Sequence, residues 1–202
     1  MSNTILTGEA AADILAAMQK AGLNGWEMFV PEGVEEIAPG AFAGMKNLRR
    51  VQLPKTLRRI GAAAFYGCGN LAQIALPAGL VELGTAAFKN SGLQEISIPP
   101  RVARLGGEVF ADSALRCAEI KGRQTGASMF RGCCQLTKVQ LNSNTRKIEA
   151  GMFRDCAALK TLRLPEKLEQ IGIEAFAGCG ALERLSIPES VREIGEGAFR
   201  GC

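Results

Sequence analysis

The chain has 202 residues, of which 47% are hydrophobic and 22% charged, a composition typical of a folded protein. Its net charge of +4 is small for this length, so charge alone does not indicate a nucleic-acid or membrane partner. The sequence has no histidine, which removes the commonest general base and the commonest metal ligand. No continuous apolar run is long enough for a transmembrane helix.

The first predicted element is an amphipathic helix over residues 8–21. Thr7 is the expected N-cap, Glu9 complements the positive end of the helix, and Gly22 suits its C-terminal stop. One apolar stripe consists of Ala11, Ile14, Leu15 and Met18. We expect this helix to cover the open end of the structure that follows it.

The N-terminal segment also indicates the cellular compartment of the protein. No Lys or Arg occurs before Lys20, and Glu9 and Asp13 interrupt the apolar residues, so the segment does not read as a secretory signal. The sequence therefore predicts a cytoplasmic protein, unless it is a piece of a secreted protein expressed without its leader.

Trp26 and Phe29 come next and have two interpretations. In the first, both belong to the cap. In the second, Phe29 is a binding residue, because it aligns with the outward-facing positions of Gln52 and Gln140 in later segments.

A single residue type then recurs at nearly constant spacing. The intervals are 23, 23, 22, 20, 23, 23 and 23 residues, and the residues are Phe42, Phe65, Phe88, Phe110, Phe130, Phe153, Phe176 and Phe199. Such a period is typical of a solenoid, in which stacking of neighbouring coils supplies the core. We therefore expect a capping helix in residues 1–25 and an array of about eight coils in residues 26–202.

Each coil contains a short stretch of alternating apolar and polar residues, which predicts one short strand per coil. The apolar pairs are Val51/Leu53, Ile74/Leu76, Ile96/Ile98, Val139/Leu141, Leu162/Leu164 and Leu185/Ile187. Proline follows the strand in six coils and ends it, because proline has no N–H for a strand ladder. Successive strands are expected to pair in parallel, about 4.8 Å apart.

Two columns of the repeat predict backbone geometry. The position two residues after each Phe holds only Gly, Asn or Asp, which tolerate positive φ. Its members are Gly44, Gly67, Asn90, Asp112, Gly132, Asp155, Gly178 and Gly201. A second glycine column marks a bend before the Phe, at Gly61, Gly84, Gly106, Gly126, Gly172 and Gly195.

The repeat L-x-x-I-x-L-P-x-x-L-x-x-I-G-x-x-A-F-x-G-C-x-x-L resembles the leucine-rich repeat of the bacterial BspA-like type and the Treponema leucine-rich repeats. The resemblance covers about residues 26–202. It implies a leucine-rich-repeat solenoid and a surface or secreted binding module, with adhesion or host-protein contact as its function.

Five of the seven cysteines occupy one column, three residues after Phe: Cys68, Cys133, Cys156, Cys179 and Cys202. Met45, Ser91 and Ser113 fill the same column elsewhere, which favours a small buried side chain over a metal ligand. Parallel stacking points neighbouring Cβ atoms the same way, so we expect free thiols. Cys117 lies on the outer side of its strand and is expected to react first.

Two charged columns alternate in sign, Glu36–Arg59–Glu82–Arg104 and Arg146–Glu169–Arg192, and predict ion-pair ladders along an exposed edge. These ladders account for much of the basic content. A nucleic-acid interface would need stripes of one sign with interleaved aromatic residues.

The coil over residues 116–136 is two residues short and lacks the proline. One hypothesis is repeat drift, which arrays tolerate on one face. The other is a functional bend or notch at Lys121, Gly122 and Arg123.

No catalytic constellation, phosphate loop or metal cluster is present in the sequence, so we expect no enzyme and no cofactor. Two hypotheses remain: a protein-binding scaffold that uses the outer face of the sheet, and a structural spacer within a longer surface protein. The candidate partner-binding residues are Arg50, Gln52, Gln73, Glu95, Ser97, Glu119, Lys121, Arg123, Lys138, Gln140, Arg163 and Arg184. They include no aromatic residue, which favours weak or avidity-dependent binding.

The sequence stops at Cys202, at a repeat boundary. Either the natural protein continues, or two such ends meet in a homodimer, or the last coil is tolerated as an edge. No nucleic-acid partner and no membrane insertion are expected.

Overall fold

The eight repeated phenylalanine rings form one continuous stack. In the computed structural model, which describes residues 4–20 and 27–202, neighbouring ring centroids lie 4.8 to 5.9 Å apart and neighbouring planes differ by 2° to 16°. The rings from Phe42 to Phe176 are fully buried, and Phe199 packs against the same core. The predicted solenoid is therefore confirmed, with its core along the stacking axis.

Short parallel strands connect the coils. The strands that precede the proline turn form what we name the first ladder: β2 (Glu27–Phe29), β4 (Arg50–Gln52), β6 (Gln73–Ile74), β8 (Glu95–Ile98), β10 (Cys117–Ile120) and β11 (Lys138–Gln140). They pair in parallel as β2-β4-β6 and as β8-β10-β11. Further along the chain the ladder is reduced to a single parallel bridge between Thr161 and Arg184.

The structure also contains a second ladder of parallel strands, which the sequence did not predict. It comprises β1 (Thr4–Leu6), β3 (Val34–Ile37), β5 (Arg59–Ile60), β7 (Glu82–Leu83), β9 (Arg104–Leu105), β12 (Lys147–Ile148), β13 (Gln170–Ile171) and β14 (Glu193–Ile194). Most of these strands have only two residues, which is too short for an alternating pattern to be visible in the sequence. They pair in parallel as β1-β3-β5-β7-β9 and β12-β13-β14.

The N-terminal segment continues the second ladder before its helix begins. Strand β1 pairs in parallel with β3, and the amide of Ala38 donates to the carbonyl of Leu6 at 2.8 Å. Helix α1 spans Gly8–Lys20. The predicted N-cap is confirmed, because the Thr7 hydroxyl accepts the Ala10 amide at 3.3 Å. Ala11 is fully buried in the core, while Gly22 lies outside the described residues, as do the side chains of Leu15 and Met18.

The predicted left-handed column is confirmed in every coil. All eight residues two positions after Phe have φ between 56° and 76°. A second left-handed column, two residues before each Phe, was not predicted. Its non-glycine members are Ala63, Ala86, Glu108, Ser128 and Glu174, with φ between 52° and 55°. Ala and Glu are not residue types that signal positive φ, so the stacking of coils imposes this conformation.

The glycines of the bend column are required by close backbone approach. A Cβ atom on Gly61 would lie 2.5 Å from the Pro39 nitrogen, and one on Gly84 would lie 2.4 Å from the Ala62 nitrogen. Neither glycine has positive φ. The column therefore marks where each coil rests directly on the backbone of the coil before it.

Ion pairs link the coils along their edges, as the alternating columns predict. The Arg59 guanidinium lies 2.6 Å from Glu36, and that of Arg104 lies 2.7 Å from Glu82. Arg146 pairs with Glu169 in the other column.

Two further ion-pair clusters were not predicted. Glu108 lies between Lys89 at 2.6 Å and Arg131 at 3.3 Å, and Glu174 lies between Arg154 and Arg200. The Lys89 hydrogen bond, with the positive charge of Arg131, holds the pKa of Glu108 below its usual range.

Removing one ring should weaken the stack locally. We predict that Phe88→Ala lowers the free energy of unfolding by about 3 to 5 kcal/mol, because it empties a fully buried aromatic site. In a stacked array each coil contacts only its neighbours, so amide protection should fall first in the adjoining coils. Hydrogen exchange read by mass spectrometry measures this, with the partly exposed Tyr66→Ala as control. A uniform loss of protection along the chain would contradict the prediction.

Candidate functional site

A broad, shallow depression of about 1250 Å³ lies on the outer face of the first ladder. Its floor is built from strands β4, β6, β8, β10 and β11, because alternate strand residues point away from the core. Val51, Ile96 and Ala118 are buried, while the outward positions between them carry polar or small side chains. The fold thus separates the residues that hold the solenoid together from those available to a partner.

Nine of the twelve predicted partner-binding residues line this depression. They are Arg50, Gln52, Gln73, Glu95, Ser97, Glu119, Lys121, Lys138 and Gln140. The other three lie outside it. Arg163 and Arg184 are exposed further along the chain, and Arg123 lies in the bend of the short coil.

Hydrogen bonds and ion pairs organise part of the depression. The Ser97 hydroxyl donates to Glu119 at 2.8 Å, and Lys121 lies 3.3 Å from the same carboxylate. The Ser97 hydrogen bond and then Lys121 hold the pKa of Glu119 below its usual range, so this carboxylate stays charged near neutral pH. At the other end, Arg50 pairs with Glu27 at 3.3 Å.

An aromatic side chain lies next to the depression. Phe29 pairs in register with Gln52, which is the alignment that the sequence suggested, and it is 53% exposed. Such exposure does not suit a residue of the cap and favours the alternative interpretation, in which Phe29 contacts a partner. Trp26 lies outside the described residues.

The short coil interrupts the second ladder. Residues 121–126 form no strand there, and the chain bends at Gly122 and Arg123, within the predicted notch. The Thr125 hydroxyl donates to the carbonyl of Lys147 at 3.0 Å. A second depression, of about 520 Å³, lies at this break beside Arg104.

The five column cysteines are free thiols that bind the backbone of the preceding coil. Each thiol donates to a phenylalanine carbonyl at 3.0 to 3.2 Å, from Cys68 to Phe42 and onward to the last pair, Cys202 to Phe176. The expected absence of bridges among described cysteines is therefore seen in the structure, and the thiols have a structural role in coil stacking.

Serine in this column does not reproduce the contact. Ser113 donates instead to Phe110 of its own coil at 2.7 Å, and Ser91 is buried with no hydrogen-bond partner in the described part of the chain. Because a C–O bond is shorter than a C–S bond, the hydroxyl falls short of the neighbouring coil. The column therefore favours cysteine for its reach.

Accessibility favours Cys134 over Cys117 as the first thiol to react. Cys117 is half-buried within β10, between Glu95 and Lys138, whereas Cys134 is exposed. The sequence alignment places Cys117 on the outer side of its strand but does not show that strands on both sides cover it.

Two classes of site receive no support from the described residues. In residues 4–20 and 27–202, no group of three or more Cys, Asp or Glu side chains is placed to bind a metal ion. None of the helices described there is long and apolar enough to cross a membrane.

The comparisons with known proteins agree with this architecture. The profile of the BspA-type leucine-rich repeat region matches residues 22–133 and 123–202, with six copies. Among solved structures, a leucine-rich repeat protein from Bacteroides ovatus has 28% identity and a TM-score of 0.64, covering 88% of this chain and 58% of that one. The leucine-rich repeat protein of T. pallidum has 31% identity and a TM-score of 0.60, covering 88% of this chain and 76% of that one.

Two further structures extend the comparison. A leucine-rich repeat protein from Eubacterium ventriosum has 29% identity and a TM-score of 0.64, covering 90% of this chain and 44% of that one. A leucine-rich cell surface protein from Faecalibacterium prausnitzii has 27% identity and a TM-score of 0.55, covering 93% of this chain and 60% of that one. The chain thus spans about half the length of the first two structures. No curated protein matches it.

The thiols should react in an order set by accessibility. We predict that a limiting amount of iodoacetamide modifies Cys134 before Cys117 and before the column thiols, because Cys134 is exposed and burial raises the pKa of Cys202. Peptide mass mapping at neutral pH gives the order, and Cys134→Ser should abolish the first modification. Modification of Cys117 ahead of Cys134 would contradict the structure.

Stability should fall at alkaline pH. Burial raises the pKa of Cys68 and Cys133 to about 11 and that of Cys179 to about 12. These thiols hold their protons more tightly in the folded chain, so their contribution is complete below the unfolded value of about 8.5 and is lost as the pH rises towards the folded values. Each adds a slope of up to about 1.4 kcal/mol per pH unit.

Urea unfolding at about pH 8 and about pH 10 measures this slope. The Cys68→Ala variant is the control, and its free energy of unfolding should depend less steeply on pH. A wild-type value that stays constant between the two pH values would show that the thiols do not titrate in this way.

Proposed function

Because the chain belongs to the BspA-type leucine-rich repeat family, we propose that it is a non-enzymatic scaffold that binds another protein through the outer face of the first ladder. Leucine-rich repeat proteins generally serve as interaction or surface scaffolds, and solenoids offer extended surfaces to partners. The observation that carries the proposal is the shallow depression of about 1250 Å³ lined by outward-facing polar side chains. No catalytic or cofactor role is part of it.

The composition of the face sets the mode of binding. Its lining combines polar side chains with small and apolar ones such as Ala75 and Ile74, and the described lining residues include none of the aromatic anchors that dominate tight interfaces. Phe29, exposed at one end, supplies the aromatic contact nearest to it. We infer many weak contacts over several coils, with Phe29 as the anchor and with affinity gained by avidity.

A surface location is the second part of the proposal. One relative with 27% identity is described as a leucine-rich cell surface protein. We extend that location to this chain, with adhesion or host-protein contact as the role of the outer face.

The spacer hypothesis remains the second candidate. The chain spans 58% and 44% of the first two related structures, so in a longer protein its coils would serve to separate other parts. The ion pairs between coils suit this role as well, because they join neighbours without a partner. The homodimer through the final coil stays a prediction.

A blocking experiment separates binding from spacing. Gln73→Arg with Ala75→Arg places two long side chains on the floor of the depression, and both residues are exposed. Ala43→Arg with Ala157→Arg is the matched control, with the same added charge at exposed positions elsewhere. A surface-protein extract is passed over each immobilised chain.

The proposal expects that a protein retained by the wild type and by the control is lost by the blocked variant. Equal retention by all three chains would exclude this face as the contact surface. Retention of nothing by the wild type would favour the spacer.

A further inference from the structure

Positive charge accumulates on the outer face towards the C-terminal coils. We name as the basic strip the exposed side chains Arg116, Lys138, Lys160, Arg163 and Arg184. Backbone hydrogen bonds join their coils, from Thr137 to the carbonyl of Arg116 and from Glu183 to that of Lys160, each at 3.0 Å. The strip therefore crosses four successive coils, in which strands that pair lie about 4.8 Å apart.

The cations of the basic strip lack the partners that cations have on the second ladder. In residues 4–20 and 27–202 none of the five has a carboxylate within ion-pair distance, and Arg116 donates only to the side-chain oxygen of Gln135, at 3.3 Å. On the second ladder, by contrast, Arg59 and Arg104 each contact a carboxylate at 2.6 to 2.7 Å. Glu183 is interspersed on the strip and also forms no ion pair among the described residues.

The like charges of the basic strip repel one another. Within one column the cations recur at every second coil, Arg116 with Lys160 and Lys138 with Arg184, so their backbones lie about 10 Å apart. This is close to the Debye length of about 8 Å at physiological salt, so the repulsion is only partly screened. Elsewhere on the first ladder Arg50 pairs with Glu27 and Lys121 with Glu119, whereas the five cations of the basic strip have no carboxylate partner among the described residues. An anionic partner would remove the repulsion and gain favourable contacts at the same time.

We propose that the basic strip binds an acidic polypeptide segment, a run of Asp and Glu residues laid along the solenoid axis. This inference rests on the proposed protein-binding function and names the chemistry of the partner. An extended segment advances about 3.3 Å per residue, so a continuous acidic run offers a carboxylate near every coil. The strip holds no aromatic side chain on which a sugar ring would stack, which favours a polypeptide over a glycan.

The long side chains of the strip also set the character of the complex. Exposed Lys and Arg residues stay flexible and solvated, so they increase the association rate more than the lifetime of the complex. Binding should therefore be fast, weak and sensitive to salt. Binding by the basic strip would complement the contacts around Phe29, which lies at the opposite end of the first ladder.

Poly-L-glutamate tests the proposal directly. The test variant is Lys138→Glu with Arg163→Glu and Arg184→Glu, and the matched control is Lys46→Glu with Arg101→Glu and Lys167→Glu. The two triple variants have the same net charge, and the control residues are exposed in turns outside the strip. Circular dichroism and thermal unfolding confirm that each variant is folded.

The wild type should bind poly-L-glutamate, with an affinity that falls as salt rises from about 0.05 to 0.5 M. The strip variant should bind at least about tenfold more weakly, and the control should stay close to the wild type. Three outcomes would overturn the proposal: no binding by the folded wild type, an equal loss in both variants, or binding of dextran sulfate without binding of poly-L-glutamate. The last would identify a sulfated glycan as the ligand class.

The result also separates this inference from the proposed function. A surface protein that is lost from the Gln73→Arg, Ala75→Arg variant but retained by the strip variant would refute the acidic partner and leave the scaffold function standing. Loss of the same protein from both variants, with the control unaffected, would support the acidic partner.

Discussion

The stacking of phenylalanine rings is the constraint on which the rest of the structure depends. Rings 4.8 to 5.9 Å apart are close to the spacing of paired strands, so one repeat distance serves the aromatic core and both ladders. The two widest separations, 5.9 and 5.8 Å, flank Phe130 in the short coil. That coil has no strand in the second ladder but keeps its ring in the stack. The array therefore preserves the ring stacking where the ladder is interrupted.

The other columns follow from keeping each ring over the previous one. The backbone must turn sharply on both sides of the Phe, and it does so with a left-handed residue two positions before and two positions after it. The thiols add a weak hydrogen bond between coils by donating to phenylalanine carbonyls of the coil before. Serine in this column does not make the contact, because Ser91 is buried without a partner among the described residues and Ser113 donates within its own coil, so the stack tolerates its absence in two coils.

The sequence alone predicts a structural feature when that feature restricts which residue types a position can hold. The left-handed column after the Phe admits only Gly, Asn and Asp, and every member has positive φ. The column before the Phe contains Ala63 and Glu108, which give no signal, because neighbouring coils rather than the residue itself impose the conformation. The sequence did not predict the second ladder, because two residues cannot show alternation. It did not predict the half-burial of Cys117, because that depends on strands from two other coils.

The outer face of the first ladder is free of these constraints. Its side chains point away from the stack, so repetition of the fold does not dictate their chemistry. The two ends of the face differ, with Phe29 and the Arg50–Glu27 ion pair at one end and the cations of the basic strip towards the other. The spacer hypothesis does not require this difference, whereas the proposed binding surface would gain from it the direction in which a partner lies.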